Sequence, residues 1–255
     1  MTHGSLFSGI GGFDLAAHWM GWENVFNVEK DPFCRKVLAH HFPNSKSFKD
    51  VREFQAVNFC GGISVLSGGF PCQPFSTAGK RAGVSDERYL WPEFLRIITE
   101  VTPSYVIAEN VRGLSSWDQG SVLETVCTDL EGEDYEVFPV ILPAASVNAP
   151  HKRERIWILA TNSYRQVLEH GDGKRKAERA TNTKKRAKSL SSPRGWEKFP
   201  TFGPVCRGAN GLPFELDGIT FPRWRKESVK AYGNAIVPQV ALELFKLIEH
   251  IDLTK

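Results

Sequence analysis

Leu6-Phe7-Ser8-Gly9-Ile10-Gly11-Gly12-Phe13, followed by Asn24-Val25-Phe26-Asn27-Val28-Glu29, is the stretch that decides the fold. Leu6-Phe7 reads as the end of a short strand. Glycines then permit a tight turn that a ligand can approach closely. Phe13, Ala16, Ala17 and Met20 recur at helical spacing. A helix that opens on such a turn offers free N–H groups to a carboxylate or phosphate. The second strand, over 24–28, ends on Glu29, 17 residues beyond Gly12. An acid at about that distance commonly holds ribose hydroxyls. Taken singly, a glycine turn is equally a plain turn, and Glu29 equally a capping or surface carboxylate. Together they suggest a bound nucleoside. The dinucleotide fingerprint Gly-x-Gly-x-x-Gly is absent, because Asp14 stands three positions after Gly11.

Outward from this unit the pattern repeats. A second helix is expected over 33–42 and a short buried strand at Ile63-Ser64-Val65-Leu66. Phe94, Ile97, Ile98 and Val101 mark a helix, Tyr105-Val106-Ile107-Ala108 a strand, and Leu123, Val126, Cys127 and Leu130 another helix. Further strands are expected over 137–142 and 156–160. Strands alternating with helices imply a largely parallel sheet covered on both faces. The chain closes on Val237, Val240, Ala241, Leu244, Leu247, Ile248 and Ile251, an apolar stripe of helical period.

Composition bounds the function classes. The 255 residues, 41% hydrophobic and 24% charged, suit one large globular domain with at most a small appendage. No apolar run is long enough to span a bilayer, and the N-terminus reads as no secretory signal. Five scattered cysteines without Cys-x-x-Cys spacing argue against a disulfide framework or a zinc site, and so for a reducing, cytoplasmic compartment. Charge is uneven. Residues 163–195 hold ten Lys or Arg against three Asp or Glu, an excess of seven, while the whole chain carries only +3. The remainder is therefore net negative. This basic segment is either a solvated loop or an electrostatic contact for a polyanion.

In a doubly wound sheet, ligands sit beyond the carboxyl ends of the strands. Asp50-Val51 follows the third expected strand, and Asp50 is a candidate for an adenine edge or a surface acid. Next comes Gly68-Gly69-Phe70-Pro71-Cys72-Gln73-Pro74, a cysteine held between two prolines. Such a thiol is a candidate nucleophile or an inert turn residue. Glu109-Asn110-Val111 follows the fifth strand. A carboxyl buried there has a raised pKa and can donate a proton, or it caps the next helix. Alternation puts Arg153 and Arg155 on one face, where they meet a carboxylate of the fold or an anionic substrate. Gly233-Asn234-Ala235-Ile236-Val237-Pro238 is expected to open the terminal helix, with Asn234 as its start.

These blocks, in this order, resemble the cytosine-C5 DNA methyltransferase family. The Pro-Cys-Gln and Glu-Asn-Val pair and the Gly-Asn-Ala-Ile-Val-Pro block are the specific ones. The resemblance covers residues 5–162 and the chain from 230 onward. It implies an α/β, Rossmann-like S-adenosylmethionine-dependent methyltransferase fold with a small target recognition insert. The implied division is a catalytic domain over 1–162, a small basic recognition region over 163–229, and a C-terminal helix over 230–255 that packs back beside the first strand. The resemblance further implies that Phe7, Ser8, Gly9, Gly11, Gly12, Glu29, Lys30, Asp50, Val51, Pro71, Asn234 and Ala235 form the S-adenosylmethionine pocket. Within it Glu29 would take the ribose and Asp50 the adenine amino group. Cys72 would attack C6 of the target cytosine. Glu109 would engage N3 and the exocyclic amine, and Arg155, with Arg153, would contact the ring carbonyl or orient the site. Double-stranded DNA is the implied partner, no metal is implied, and a monomer is expected.

The chain departs from the family pattern three times. Ser5 stands where the family usually has Asp before Leu-Phe, which bears on the turn and on cofactor binding. His151 stands where Gln is common. Between the Arg-x-Arg block and the final block the chain is short, which predicts a short recognition site with much of the affinity from phosphate contacts. Two other functions fit the motifs: cytosine-C5 methylation of RNA such as tRNA, and a cofactor-binding but inactive DNA-binding protein. A nicotinamide dehydrogenase is disfavoured by the broken glycine fingerprint. The motifs do not separate a restriction-modification role from an orphan or phage one.

Overall fold

A computed structural model describes residues 1–71, 89–162 and 221–253. Seven strands form one sheet: β1 (Thr2–Leu6), β2 (Glu23–Val28), β3 (Lys46–Phe48), β4 (Val65–Gly69), β5 (Tyr105–Val111), β6 (Tyr135–Pro143) and β7 (Glu154–Asn162). Their order is β3-β2-β1-β4-β5-β7-β6. The helices are α1 (Gly12–Trp19), α2 (Pro32–His41), α3 (Trp91–Val101), α4 (Ser121–Gly132), α5 (Phe221–Asn234) and α6 (Pro238–Leu253).

Strands β1 to β5 pair in parallel, because each connection carries enough chain to cross over a face of the sheet. The expectation of a largely parallel sheet meets its limit at the last two strands. β7 inserts between β5 and β6 and runs antiparallel to both. The connection between β6 and β7, residues 144–153, is too short for a crossover helix, so the two strands form a hairpin instead.

Alternation along the strands sorts two cores. Leu6, Phe26, Leu66, Val106 and Ile158 face α3 and α4, whose Phe94, Ile97 and Val126 pack against them. Val65, Tyr105, Ile107 and Trp157 face α1 and α6, where Phe13, Ala17, Phe245 and Ile248 complete the layer. Phe245 is fully buried and contacts the rings of His3, Phe13 and Trp22. The terminal helix thus packs over α1 and the first strand. A third, smaller cluster joins α2 to α5 through Phe33, Cys34, Val37, Trp224 and Ala231, with Ile10 of the glycine turn against it.

The block from Gly233 to Pro238 differs from its expectation. Asn234 does not start the terminal helix; it is the last residue of α5, and α6 starts at Pro238. Proline lacks an N–H and has a preset φ, so it opens a helix readily but cannot continue the preceding one. Helix α5 also runs through the expected boundary between 229 and 230. Among the described residues no helix is long and apolar enough to cross a membrane.

Candidate active site

Every parallel strand delivers a chemically distinctive group at its carboxyl end, and the order β3-β2-β1-β4-β5 sets these ends side by side. After β1 the chain turns through Phe7, Gly9 and Gly11, all at positive φ (52°, 55° and 85°). Glycine adopts this region freely, but Phe7 does so at a cost. Its ring packs edge-on against Phe94, 6.0 Å away. Gly12 then allows close approach of the stretch between α5 and α6: a Cβ there would lie 2.5 Å from Ile236 Cγ1.

Glu29, beyond β2, is braced by this turn. One carboxylate oxygen accepts the Gly9 N–H and the other the Asp31 N–H, each at 2.7 Å. Burial pushes its pKa up, and those two N–H groups work against that rise. Each oxygen keeps a further acceptor site. Asp31 caps α2 by accepting the Phe33 N–H at 2.9 Å and meets Lys230 of α5 at 2.6 Å. Asp50, beyond β3, accepts the Arg52 N–H at 3.0 Å and lies 3.5 Å from Lys30, which is itself mostly exposed. The Arg52 N–H, with Lys30, holds its carboxyl below the usual range. Val51 is buried.

Gly69 of β4 pairs with Glu109 of β5, which pairs in turn with Trp157 of β7. The Glu109 carboxylate lies over Gly69, where an added Cβ would sit 3.0 Å from Oε2. Glu109 is buried, and its Oε1 meets Arg155 Nε at 3.1 Å. Burial dominates the two nearby guanidinium groups, and the pKa rises to about 7. The acid thus holds its proton over part of the neutral range. Asn110 donates from Nδ2 to the carbonyl of Phe70 at 3.0 Å, fixing the end of β4 just ahead of Pro71. Cys72 lies outside the described residues, as does all of 163–220 with its basic segment.

Arg153 is placed differently from Arg155. Among the described residues its guanidinium makes no salt bridge, though the Glu109 charge acts on it; it donates to the carbonyls of Gly233 (3.1 Å) and Ala235 (2.5 Å). It thereby satisfies acceptors left open where α5 ends. Asn234 is exposed and Ala235 half-buried beside this contact. The sheet brings together Phe7, Ser8, Gly9, Gly11, Gly12 and Glu29 at one point and Glu109, Arg155 and the chain to Pro71 at the next.

The sequence model of the C-5 cytosine-specific DNA methylase family matches residues 1–200. The chain belongs to this family. Among its relatives, the Type II methyltransferase M.AquIA of Picosynechococcus sp. is 36% identical over 173 residues, 61% of this chain and 69% of the relative. M.Eco47II of Escherichia coli, also named a Type II methyltransferase, is 35% identical over 189 residues, 68% of this chain but 45% of its own length. A solved structure described as a DNA modification methyltransferase, encoded within an Escherichia coli prophage, superposes with a TM-score of 0.53 at 27% identity. It covers 64% of this chain and 47% of that one. The chain therefore spans about half the length of several relatives it matches, and the fold is that of the S-adenosylmethionine-dependent methyltransferases.

Two residues outside the sequence-derived set stand beside these groups. Asn110 sits in the Glu-Asn-Val block, yet nothing in the block shows that its amide reaches across to β4. Asp14 is wholly buried under the glycine turn, its carboxylate 2.9 and 3.1 Å from the Ser5 hydroxyl. The family's usual Asp is missing at Ser5, but a carboxylate is present below the turn all the same, supplied by α1. An acid inside an apolar helical stripe was the available signal.

Proposed function

We propose that this methylase transfers a methyl group from S-adenosylmethionine to C5 of cytosine in DNA. The observation that carries the reading is the presence of two cradles along one edge of the sheet: the braced Glu29 beneath the glycine turn, and the buried Glu109–Arg155 pair, with Glu109 three strands along from β2. The first fits a nucleoside. Glu29 keeps acceptor capacity for two ribose hydroxyls, and the positive-φ turn exposes backbone rather than side chains. Asp50 reaches the same edge and suits an exocyclic amine. S-adenosylmethionine, when bound there, supplies the methyl group on a sulfonium.

The remaining steps belong to the chain. Cytosine C5 is a poor nucleophile until C6 is saturated. Cys72, directly after Pro71, attacks C6 as thiolate, and the ring electrons move toward N3. Glu109, protonated over part of the neutral range, donates there, so the negative charge does not accumulate. C5 then carries enough electron density to take the methyl group. A base removes the C5 proton, and elimination restores the C5–C6 double bond and frees Cys72. Arg155 orients Glu109 by its 3.1 Å contact and would meet the ring carbonyl. Arg153 acts through the end of α5. The target base must leave the duplex stack to reach these groups, at an unstacking cost of a few kcal/mol. The basic segment over 163–195 would supply phosphate contacts.

The test is transfer of labelled methyl to duplex DNA, with Cys72→Ser and Glu109→Gln as controls and tRNA as a second substrate. Label in DNA that vanishes in Cys72→Ser supports the reading. Label in tRNA alone, or donor binding without transfer to either, overturns it.

A further inference from the structure

A fully buried carboxyl needs an explanation, because taking an acid from water is costly unless it is hydrogen-bonded. Asp14 is 0% exposed and belongs to the first turn of α1, where its carboxylate lies against its own backbone N–H. Its side-chain partner is Ser5 of β1. The Ser5 hydroxyl lies 2.7 Å from that of Ser8, and Ser8 Oγ lies 3.2 and 3.3 Å from the carbonyls of Ser5 and Val28. Ser8 is flanked by Phe7 and Gly9, two of the three residues that turn the chain through positive φ. Strain of the kind held at Phe7 persists only when its surroundings over-determine it.

Proton accounting shows a continuous chain. Ser5 has one hydroxyl proton. If it goes to an ionised Asp14, the short Ser5–Ser8 contact requires Ser8 to donate to Ser5. If Asp14 is protonated, the sequence can reverse: Asp14 donates to Ser5, Ser5 to Ser8, and Ser8 to a carbonyl. Either way no group is stranded. Asp14 is itself anchored from behind. Asn24 Nδ2 donates to its carbonyl at 2.9 Å, which turns Asn24 Oδ1 toward His3. His3 Nδ1 therefore donates to Asn24 at 2.7 Å, and His3 Nε2 accepts from Ser67 at 2.8 Å. The network thus runs from β4 through β1 and β2 to α1 and ends in the glycine turn.

We propose that Asp14 is a positioning residue for the methyl donor: through Ser5 and Ser8 it holds the turn over residues 7–11 in its donor-binding conformation. This rests on the reading of that turn as the S-adenosylmethionine site. Asp14 touches neither substrate; it sets the fraction of molecules whose turn is ready, and an affinity falls in proportion to that fraction.

The experiment measures S-adenosylmethionine binding by calorimetry, and methyl transfer at varied donor and DNA, for wild type, Asp14→Leu, Asp14→Asn and Ser5→Ala. Leucine matches the shape but removes the acceptor; asparagine can still both accept from and donate to Ser5. Asp14→Leu and Ser5→Ala are expected to raise the donor Kd and KM by about tenfold, the scale of a lost buried hydrogen bond. The kcat at saturating donor and the KM for DNA stay near wild type, and Asp14→Asn restores donor affinity. Should Asp14→Leu fail to fold, Ser5→Ala decides alone. A folded Asp14→Leu or Ser5→Ala variant with wild-type donor affinity overturns the proposal, as does an Asp14→Asn no better than Asp14→Leu. If wild type itself binds no donor, the reading of the turn fails first, and that outcome is visible before any variant is compared.

Discussion

Replacing Asp14 by Asn gives a stability change whose size follows from the burial of one carboxyl. Asp14 lies wholly inside the protein, and burial raises its pKa from 3.8 to about 7, against the opposing pull of Ser5. The fold thus favours the protonated acid. Its contribution is present in full below the unfolded value of 3.8 and is lost as pH rises through about 7. A difference of about 3 units corresponds to about 4 kcal/mol, of which roughly 2–3 kcal/mol falls between about pH 5 and pH 8. Asparagine cannot ionise, so its stability lacks this component, while every other titrating group is common to both proteins. The assay is urea unfolding of wild type and Asp14→Asn across that range, followed by tryptophan fluorescence. The difference in unfolding free energy should tilt toward the variant by roughly 2–3 kcal/mol as pH rises. A difference that stays constant with pH would refute the reasoning, because it would mean that Asp14 ionises in the fold as readily as in the unfolded chain.

The site offers further tests. Above about pH 7 the protonated Glu109 is depleted, so the logarithm of kcat/KM should lose one unit of slope there. Glu109→Gln should abolish that bend and slow transfer by about 10²–10⁴-fold; a bend that survives in the variant assigns it to another group. Gly69→Ala places a Cβ 3.0 Å from Glu109 Oε2, and we expect it to cut kcat by about tenfold or more with stability changed by under about 1 kcal/mol, read by turnover beside thermal melting. Gly12→Ala should cost about 1–3 kcal/mol through overlap with Ile236, and Ile236→Ala added to it should recover part of the loss in a double-mutant cycle. Deleting residues 172–188, which hold eight Lys or Arg, should weaken DNA binding and flatten its salt dependence; an unchanged slope in a filter-binding titration would remove this segment from the interface.

The parallel half of the sheet was legible because its signals are local. Phe13, Ala16 and Ala17 show helical period, strands end on glycine or acid, and the bounds of α1 and β2 fall within a residue or two of their expectation. The β6–β7 hairpin was not legible as such, since its two strands read the same whether they pair in parallel or not; only the shortness of residues 144–153 decides it. Among the candidate site residues, the burial and raised pKa of Glu109 were legible from the apolar run Tyr105-Val106-Ile107-Ala108 before it, although Glu109-Asn110-Val111 does not follow the strand as expected but completes β5. Arg153 and Arg155 were legible as a pair but not by target. Strand alternation gives them one face, whereas Arg153 precedes β7 at a positive φ of 33° and its guanidinium donates to Gly233 and Ala235, while Arg155 makes the salt bridge to Glu109. Asn110 reaches a carbonyl 40 residues back in the sequence, which no local pattern records; Asp14 lies only nine residues from Ser5, and its place inside an apolar helical stripe was the one local signal of its burial.

The contacts of Arg153 bear on how the two ends of the chain cooperate. Glu29, Glu109 and Arg155 come from strands of the sheet, whose last strand ends at Asn162, and the next described element is α5. Beside the cluster that joins α5 to α2, three contacts fasten α5 and the stretch after it near these groups. Lys230 meets Asp31, the residue whose N–H braces Glu29. Ile236 rests on Gly12 of the first turn. Gly233 and Ala235 take the Arg153 guanidinium, two residues before the arginine that meets Glu109. Each fastening joins α5 or the stretch after it to a residue one step from a proposed donor- or base-binding group. The basic segment over 163–195, proposed to meet DNA, lies in the chain between β7, on the side of Glu109, and α5, on the side of Glu29, so the chain itself is a tether to both. If this tether transmits DNA binding, Lys230→Met should weaken the effect of DNA on donor affinity more than it changes either affinity alone. A coupling equal to that of wild type would show that the two sites bind independently.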